Sequence, residues 1–197
     1  MTQNPEEIRA FVAIELPDEV RRGLAGLRRE LQRDEHRLVK WVDPEAIHLT
    51  LKFLGNIPSR RVTEIARAIE VAAKATAPFE LDVSGLGVFP NLRQVRVLWV
   101  GIGGEVDRLK ELQRGIDTEL AALGFAREER PFVPHLTLAR VRQGTSPSER
   151  RSLGELFSTA VFEDKYEAKV ETISLMRSEL TPAGAIYSRL SEAVLGR

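Results

Sequence analysis

EAIHLTLKFLG (residues 45–55) and PFVPHLTLARV (residues 131–141) carry the same four-letter word, HLTL, at 48–51 and again at 135–138. The chain has three histidines, and two of them open that word. Both stretches are apolar and read as strands, along which successive side chains alternate faces. His48 and Thr50 therefore point one way, and Leu49 and Leu51 the other. His135 and Thr137 repeat the pattern against Leu136 and Leu138. The leucines read as core, which leaves each strand presenting an imidazole and a hydroxyl about 7 Å apart on its other face.

The second word lies 87 residues after the first, at 135 against 48, and its surroundings repeat in order. At the same offset Arg9 of IRAFVAIELPDEV faces Arg96 of VRVLWVGIGGEV, and Pro44 faces Pro131. With a one-residue gap, Glu19-Val20 meets Glu105-Val106 at the start of the next helix. Strand, helix, proline and HLTL strand thus recur. We expect a duplicated βα-β unit, hence two lobes about a pseudo-twofold axis with the two His/Thr pairs converging on one cleft. No low-complexity linker divides the chain, so residues 1–197 read as a single domain.

The remaining elements follow from periodicity and turn chemistry. Ile8–Leu16 is β-rich, and Pro17-Asp18 opens a helix with Val20, Leu24, Leu27 and Leu31 on one face. The first motif strand spans Ile47–Leu54 and stops at Gly55. A helix over Val62, Ile65, Ile69 and Ala73 ends before Pro78. Strands are expected near 79–89 and 94–102, turned by Pro90-Asn91-Leu92-Arg93. Gly103-Gly104 leads into a helix over Val106, Leu109, Leu112, Ile116 and Leu120 that ends at Gly124. After the second motif strand, 135–141, come a helix from Ser146-Pro147 to about Thr159 and strands near 166–179 and 185–190.

Composition narrows the chemistry. With 197 residues and 43% hydrophobic content the chain can bury a sizeable core. Zero cysteines exclude disulfides, thiol catalysis and cysteine-ligated metals. Lys+Arg 29 against Asp+Glu 29 leaves no net charge, which argues against coating nucleic acid through a global field. No stretch approaches the roughly 20 apolar residues of a membrane span, and MTQNPEEIRAF lacks the pattern of a secretory leader. A cytoplasmic location without membrane contact is the expectation, as a monomer.

Two converging imidazoles can work as general base and general acid, because a ring that titrates near neutrality can be neutral in one copy and charged in the other. The hydroxyls of Thr50 and Thr137 can hydrogen-bond phosphate oxygens held between the rings. Arg140 carries a donor fork suited to phosphate, but it lies five residues after His135, an odd offset that aims it away unless a bulge or the strand end redirects it. A single HxT on a strand is more often a core histidine beside a β-favouring threonine; the duplicate is what points to function. A two-histidine metal site is an alternative, with no CxxC or HExxH pattern behind it. His36 reads as a surface residue, and Arg21-Arg22 and Arg28-Arg29, interleaved with Glu19 and Glu30, as a solvated helix face. Phe11, Trp41 and Tyr187 offer rings that could stack on a base, Phe11 and Trp41 foremost, although core packing is the commoner role for each taken singly.

These motifs resemble those of the 2H phosphoesterases, and specifically the bacterial and archaeal RNA 2′,3′-cyclic phosphodiesterases once called 2′-5′ RNA ligases. That group is defined by two HxTx motifs, here His48-Leu49-Thr50-Leu51 and His135-Leu136-Thr137-Leu138. RAFVAIELP, KWVDPEAIHLTLKFLG, PFVPHLTLAR and TPAGAIYSRL extend the resemblance over nearly the whole chain. It implies an α+β, bilobal fold: two antiparallel sheets, helices on the outer faces and a central cleft. It also implies metal-independent, cofactor-free opening of a 2′,3′-cyclic phosphate at an RNA 3′ end, tRNA fragments included, to a 2′-phosphate, with weak reverse ligation. By that resemblance His48 protonates the departing 3′ oxygen, His135 activates water, and Thr50, Thr137 and Arg140 hold the phosphate. A small nucleotide such as ADP-ribose cyclic phosphate, or non-catalytic binding of an RNA end, are the competing readings.

Overall fold

The first apolar run forms β1 (Glu7–Glu15), with Ala10, Val12 and Ile14 buried on one face, and Asp18–Leu31 forms α1, with Val20, Leu24 and Leu27 buried as their spacing requires. The acids Asp18 and Glu19 in the first turn and Arg28 and Arg29 in the last complement the helix dipole. The structure, a computed structural model, describes residues 7–32, 37–162, 164–181 and 184–196. His36 therefore lies outside the described residues.

A three-residue strand that periodicity does not announce, β2 (Val39–Trp41), precedes a short 3₁₀ turn, Pro44–Ala46, capped by Asp43, whose side chain accepts from the Glu45 N–H at 3.1 Å. From that turn the chain enters β3 (His48–Pro58). Then come α2 (Val62–Lys74), β4 (Phe79–Phe89), β5 (Val97–Gly104), α3 (Val106–Ala122) and β6 (His135–Val141). The chain closes with α4 (Pro147–Thr159), started by a capping box between Ser146 and Glu149, and with β7 (Tyr166–Val170), β8 (Thr172–Leu180) and β9 (Ala185–Val194). No helix among the described residues is long and apolar enough to cross a membrane.

Two antiparallel sheets result, ordered β3-β1-β8-β9 and β2-β6-β5-β4-β7. With β2 set aside, the second order is β6-β5-β4-β7, and each motif strand pairs with the strand that begins its own strand-helix-strand segment. Leu49, Leu51, Leu136 and Leu138 all join one buried core, and α2 packs against α3 and β9. Fully burying each such side chain contributes roughly 1.5–3 kcal/mol, which holds the opposite face of each motif strand in place.

Five expectations are corrected. The single strand read over 166–179 is two, broken at Glu171: β7 joins β4 in one sheet and β8 joins β1 in the other. β5 begins at Val97 because the Asn91 carboxamide accepts from the Arg93 and Gln94 N–H groups, at 3.0 and 3.1 Å, and keeps that stretch in a turn. β3 runs through Gly55 to Pro58, and β5 runs through Gly103-Gly104; Gly104 has φ 79° and no room for a Cβ, which would lie 2.8 Å from the Glu80 carbonyl oxygen. Finally, the registers match Ala13 with Trp99 and Glu15 with Gly101, one residue short of the histidine offset, so the Arg9 and Arg96 alignment does not correspond to a shared position.

Candidate active site

Each motif histidine is fixed by its own entry loop. His48 Nδ1 bonds the Ala46 carbonyl oxygen at 2.9 Å, and His135 Nδ1 bonds the Val133 carbonyl oxygen at 2.7 Å. A carbonyl only accepts, so both Nδ1 atoms carry a proton and both Nε2 atoms are left to exchange one. Thr50 and Thr137 stand one pleat further along, partly exposed on the same face as their histidines.

Both motif strands then slip register at the same place. On β3, Thr50 pairs with Ala13 and Lys52 with Val12, so Leu51 has no partner. On β6, Thr137 pairs with Trp99 and Ala139 with Leu98, so Leu138 has none. Each slip is a β-bulge that turns two consecutive residues inward and reverses the alternation beyond it. Leu51-Lys52 and Leu138-Ala139 are buried in succession, and the next residues, Phe53 and Arg140, emerge exposed on the His/Thr face. The bulge supplies the redirection Arg140 needs. It also delivers Phe53, 65% exposed and with its ring 6.1 Å from that of Phe11. Sequence reading passed over Phe53, although it follows His48 by the same five residues that separate Arg140 from His135.

The lobes close on one another here. β3 packs against β6, and the Arg140 guanidinium acts on His48 across the gap. Each imidazole is walled by two aromatic rings. Phe11 stacks on His48 at 4.6 Å and Tyr187 meets it edge-on at 4.9 Å; Phe89 meets His135 edge-on at 5.0 Å and Trp99 tilts toward it at 6.3 Å. Gly87 makes the second wall possible, since a Cβ there would lie 2.2 Å from the Trp99 ring. Phe11 is thus brought to the site as a wall; at 2% exposure it offers no open face to a base. Trp41 is not brought there. It pairs with Ala139, shares that residue's inward face and packs against the core.

The two histidines differ in what lies across the ladder. Glu15 faces His48, whereas Gly101 faces His135. Arg189 reaches Glu15 through Nε at 2.7 Å and Nη2 at 3.1 Å, and the Ser174 hydroxyl donates at 2.6 Å. Burial opposes ionisation of Glu15, but the hydrogen bonds from Arg189 and Ser174 outweigh it and hold the carboxyl below its usual value. For His48, burial dominates and draws the ring below its ordinary pKa; the Ala46 bond and Glu15 oppose that shift, and Arg140 reinforces it.

The site therefore unites two oriented proton carriers, two hydroxyls, a guanidinium and an exposed aromatic ring. Comparison with known proteins gives this arrangement its kin. A family model described as LigT-like phosphoesterase matches twice in tandem, over residues 14–99 and 100–187. The RNA 2′,3′-cyclic phosphodiesterase of Methanothermobacter thermautotrophicus is 37% identical over 182 residues, 92% of this chain and 96% of that protein. The Aquifex aeolicus protein of the same name is 31% identical over 190 residues, 96% of this chain and 98% of its own length. A Thermus thermophilus crystal structure superposes with a TM-score of 0.75 at 30% identity, covering 95% of this chain and 98% of that one. E. coli LigT complexed with 3′-AMP gives 0.74 at 25% identity, covering 98% and 100%. On this agreement of sequence, fold and tandem motif, the chain belongs to the LigT-like phosphoesterase family.

Proposed function

We propose that this enzyme opens 2′,3′-cyclic phosphates at RNA 3′ ends to 2′-phosphates by two-histidine acid/base catalysis. The observation that carries the reading is the matched tethering of His48 and His135 by carbonyls, which leaves two Nε2 atoms for proton transfer on facing strands. The names of the relatives supply the substrate class. In this scheme His135 takes a proton from the attacking water while His48 gives one to the departing 3′ oxygen. Thr50 and Thr137 donate to the non-bridging oxygens, and Arg140 balances charge that grows in the transition state. Neither a metal nor a cofactor has a part. RNA ends, tRNA fragments among them, would be met by a monomer in the cytoplasm, and the same chemistry run backward is weak 2′-5′ ligation. The tandem family match supports a single bilobal domain, residues 1–197, built from duplicated βα-β units.

The test is a purified enzyme with an oligonucleotide ending in a 2′,3′-cyclic phosphate, in chelator. Turnover to a 2′-phosphate unaffected by EDTA is expected. Activity lost in EDTA and restored by a divalent ion would favour a metal held by the histidines, and turnover confined to ADP-ribose cyclic phosphate would replace RNA with a small nucleotide.

Phe53 refines the reading. An exposed ring beside the phosphate site offers a platform for the base attached to the cyclic phosphate, and stacking on such a ring contributes roughly 1–3 kcal/mol. Phe53→Ala should raise KM about tenfold on an oligonucleotide with little change in kcat. The effect should vanish on a ribose cyclic phosphate that lacks a base, and equal effects on both substrates would refute the platform.

A further inference from the structure

Lys52 holds, on β3, the place that Ala139 holds on β6: the inward residue just past the bulge. The two are chemically unlike, which marks a departure from the twofold likeness of the site. The Lys52 side chain is 5% exposed, and its ammonium pairs with the Asp117 carboxylate of α3 and donates to the Ala126 carbonyl oxygen at 2.7 Å. Asp117, itself 13% exposed, also accepts from the Glu128 N–H at 3.3 Å. Close by, Arg61 donates to the Leu123 carbonyl oxygen at 2.8 Å and lies over the Phe125 ring at 4.9 Å.

Apart from the Lys52–Asp117 pair itself, which is anchored on α3, these contacts fall on one segment. Residues 123–134 join α3 to His135, and they include Val133, whose carbonyl orients that histidine. Cations rooted in β3 and in the turn after it therefore hold the lead-in to the second histidine, and Lys52 is four residues from the first. A buried ion pair stabilises a fold little beyond what apolar side chains of similar size would do, because desolvation offsets the attraction. What it fixes well is relative placement, since both groups are satisfied in a single arrangement.

We propose that the Lys52–Asp117 pair is a positioning device that sets where His135 stands relative to His48. It touches no substrate, and it rests on the two-histidine reading above. The physical consequence is large because a misplacement of about 1 Å at a reacting group costs on the order of 10²-fold in rate.

The experiment compares Lys52→Met, Asp117→Leu and the double variant. Each single change leaves an unpaired buried charge and should lower the melting temperature; the double removes both charges and should recover most of it. If the pair positions the histidines, the double variant keeps a kcat reduced by roughly 10²-fold with KM within about threefold of wild type. Recovery of kcat together with the melting temperature overturns the proposal, as the pair would then serve stability alone. A second readout needs no turnover: inorganic phosphate is titrated while the imidazole NMR signals of His48 and His135 are followed. In the wild type both rings should respond with one dissociation constant, and in the double variant with two. Should the wild type open no cyclic phosphate, this titration still decides: coupling lost in the double variant upholds positioning, and coupling retained refutes it.

Discussion

His48→Ala and His135→Ala will each lower kcat by roughly 10² to 10⁴-fold on an oligonucleotide 2′,3′-cyclic phosphate. Each imidazole has Nδ1 committed to a backbone carbonyl, so neither ring can cover for the other without leaving its tether. In the proposed scheme each Nε2 serves only one side of a phosphate held between the facing strands. Loss of either ring thus removes either the acceptor for the water proton or the donor to the departing oxygen. If both transfers belong to one event, as proposed, the double variant should be scarcely worse than the worse single one. Thermal unfolding separates this from collapse of the site: His48 stacks on Phe11 and His135 lies against Phe89, so some loss of melting temperature is expected, well short of unfolding at assay temperature. A variant that keeps near-wild-type kcat would break the paired assignment, and strict multiplication of the two single losses would show that the rings act in separate steps.

How far the sequence foretold this site depends on the range of the interaction that places each residue. His48, Thr50, His135 and Thr137 were legible because strand alternation is local and the leucines between them must go to the core. The carbonyl tethers of the two rings lie two residues away and are local as well. Arg140 and Phe53 were not legible in the same way. Alternation alone sends both inward, and only the bulges at Leu138 and Leu51 bring them out; a bulge is a property of pairing with β5 and β1, far away in the chain. A guanidinium five residues after a motif histidine is conspicuous in the sequence, whereas a phenylalanine in an apolar strand reads as core. The aromatic walls have the same origin. Phe89, Trp99 and Tyr187 reach the histidines through sheet neighbours that periodicity does not name, and Trp41, a ring that could stack on a base, is turned inward because its strand pairs with β6.

The fold shows the same division. The main helices sit where their apolar faces require, with a side-chain cap only at α4, and the duplicated word marks the strands that matter. β2, three residues long, carries no period to detect. The change of sheet at Glu171 falls inside a β-rich stretch, Tyr166–Glu179, where no glycine or proline marks the crossing to the other lobe. Lys52, by contrast, was in plain sight beside the first motif. Its meaning appears only once α3 and the 123–134 segment are seen to converge on it.

The roles of the two histidines will be separated by the leaving group. If His48 donates to the 3′ oxygen while His135 receives the proton of water attacking in line, the product carries its phosphate on the 2′ oxygen. The rate should follow a bell in pH, because one ring must be charged while the other is neutral. His48 lies below its ordinary pKa through burial, so one limb of that bell is displaced toward acid. Burial by itself favours the neutral ring, which suits a base; Glu15 across the ladder and the anionic phosphate of a bound substrate favour the charged ring, which suits an acid. The bell alone cannot decide between them, because its apparent pKa values belong to the pair. A substrate whose 3′-side group departs without protonation can. It removes the need for the acid and leaves the need for the base, so it should restore most of the lost rate to His48→Ala and little to His135→Ala. Rescue of the His135 variant alone would exchange the two roles, equal rescue would dissolve them, and a 3′-phosphate product would show that the substrate lies in the cleft the other way round.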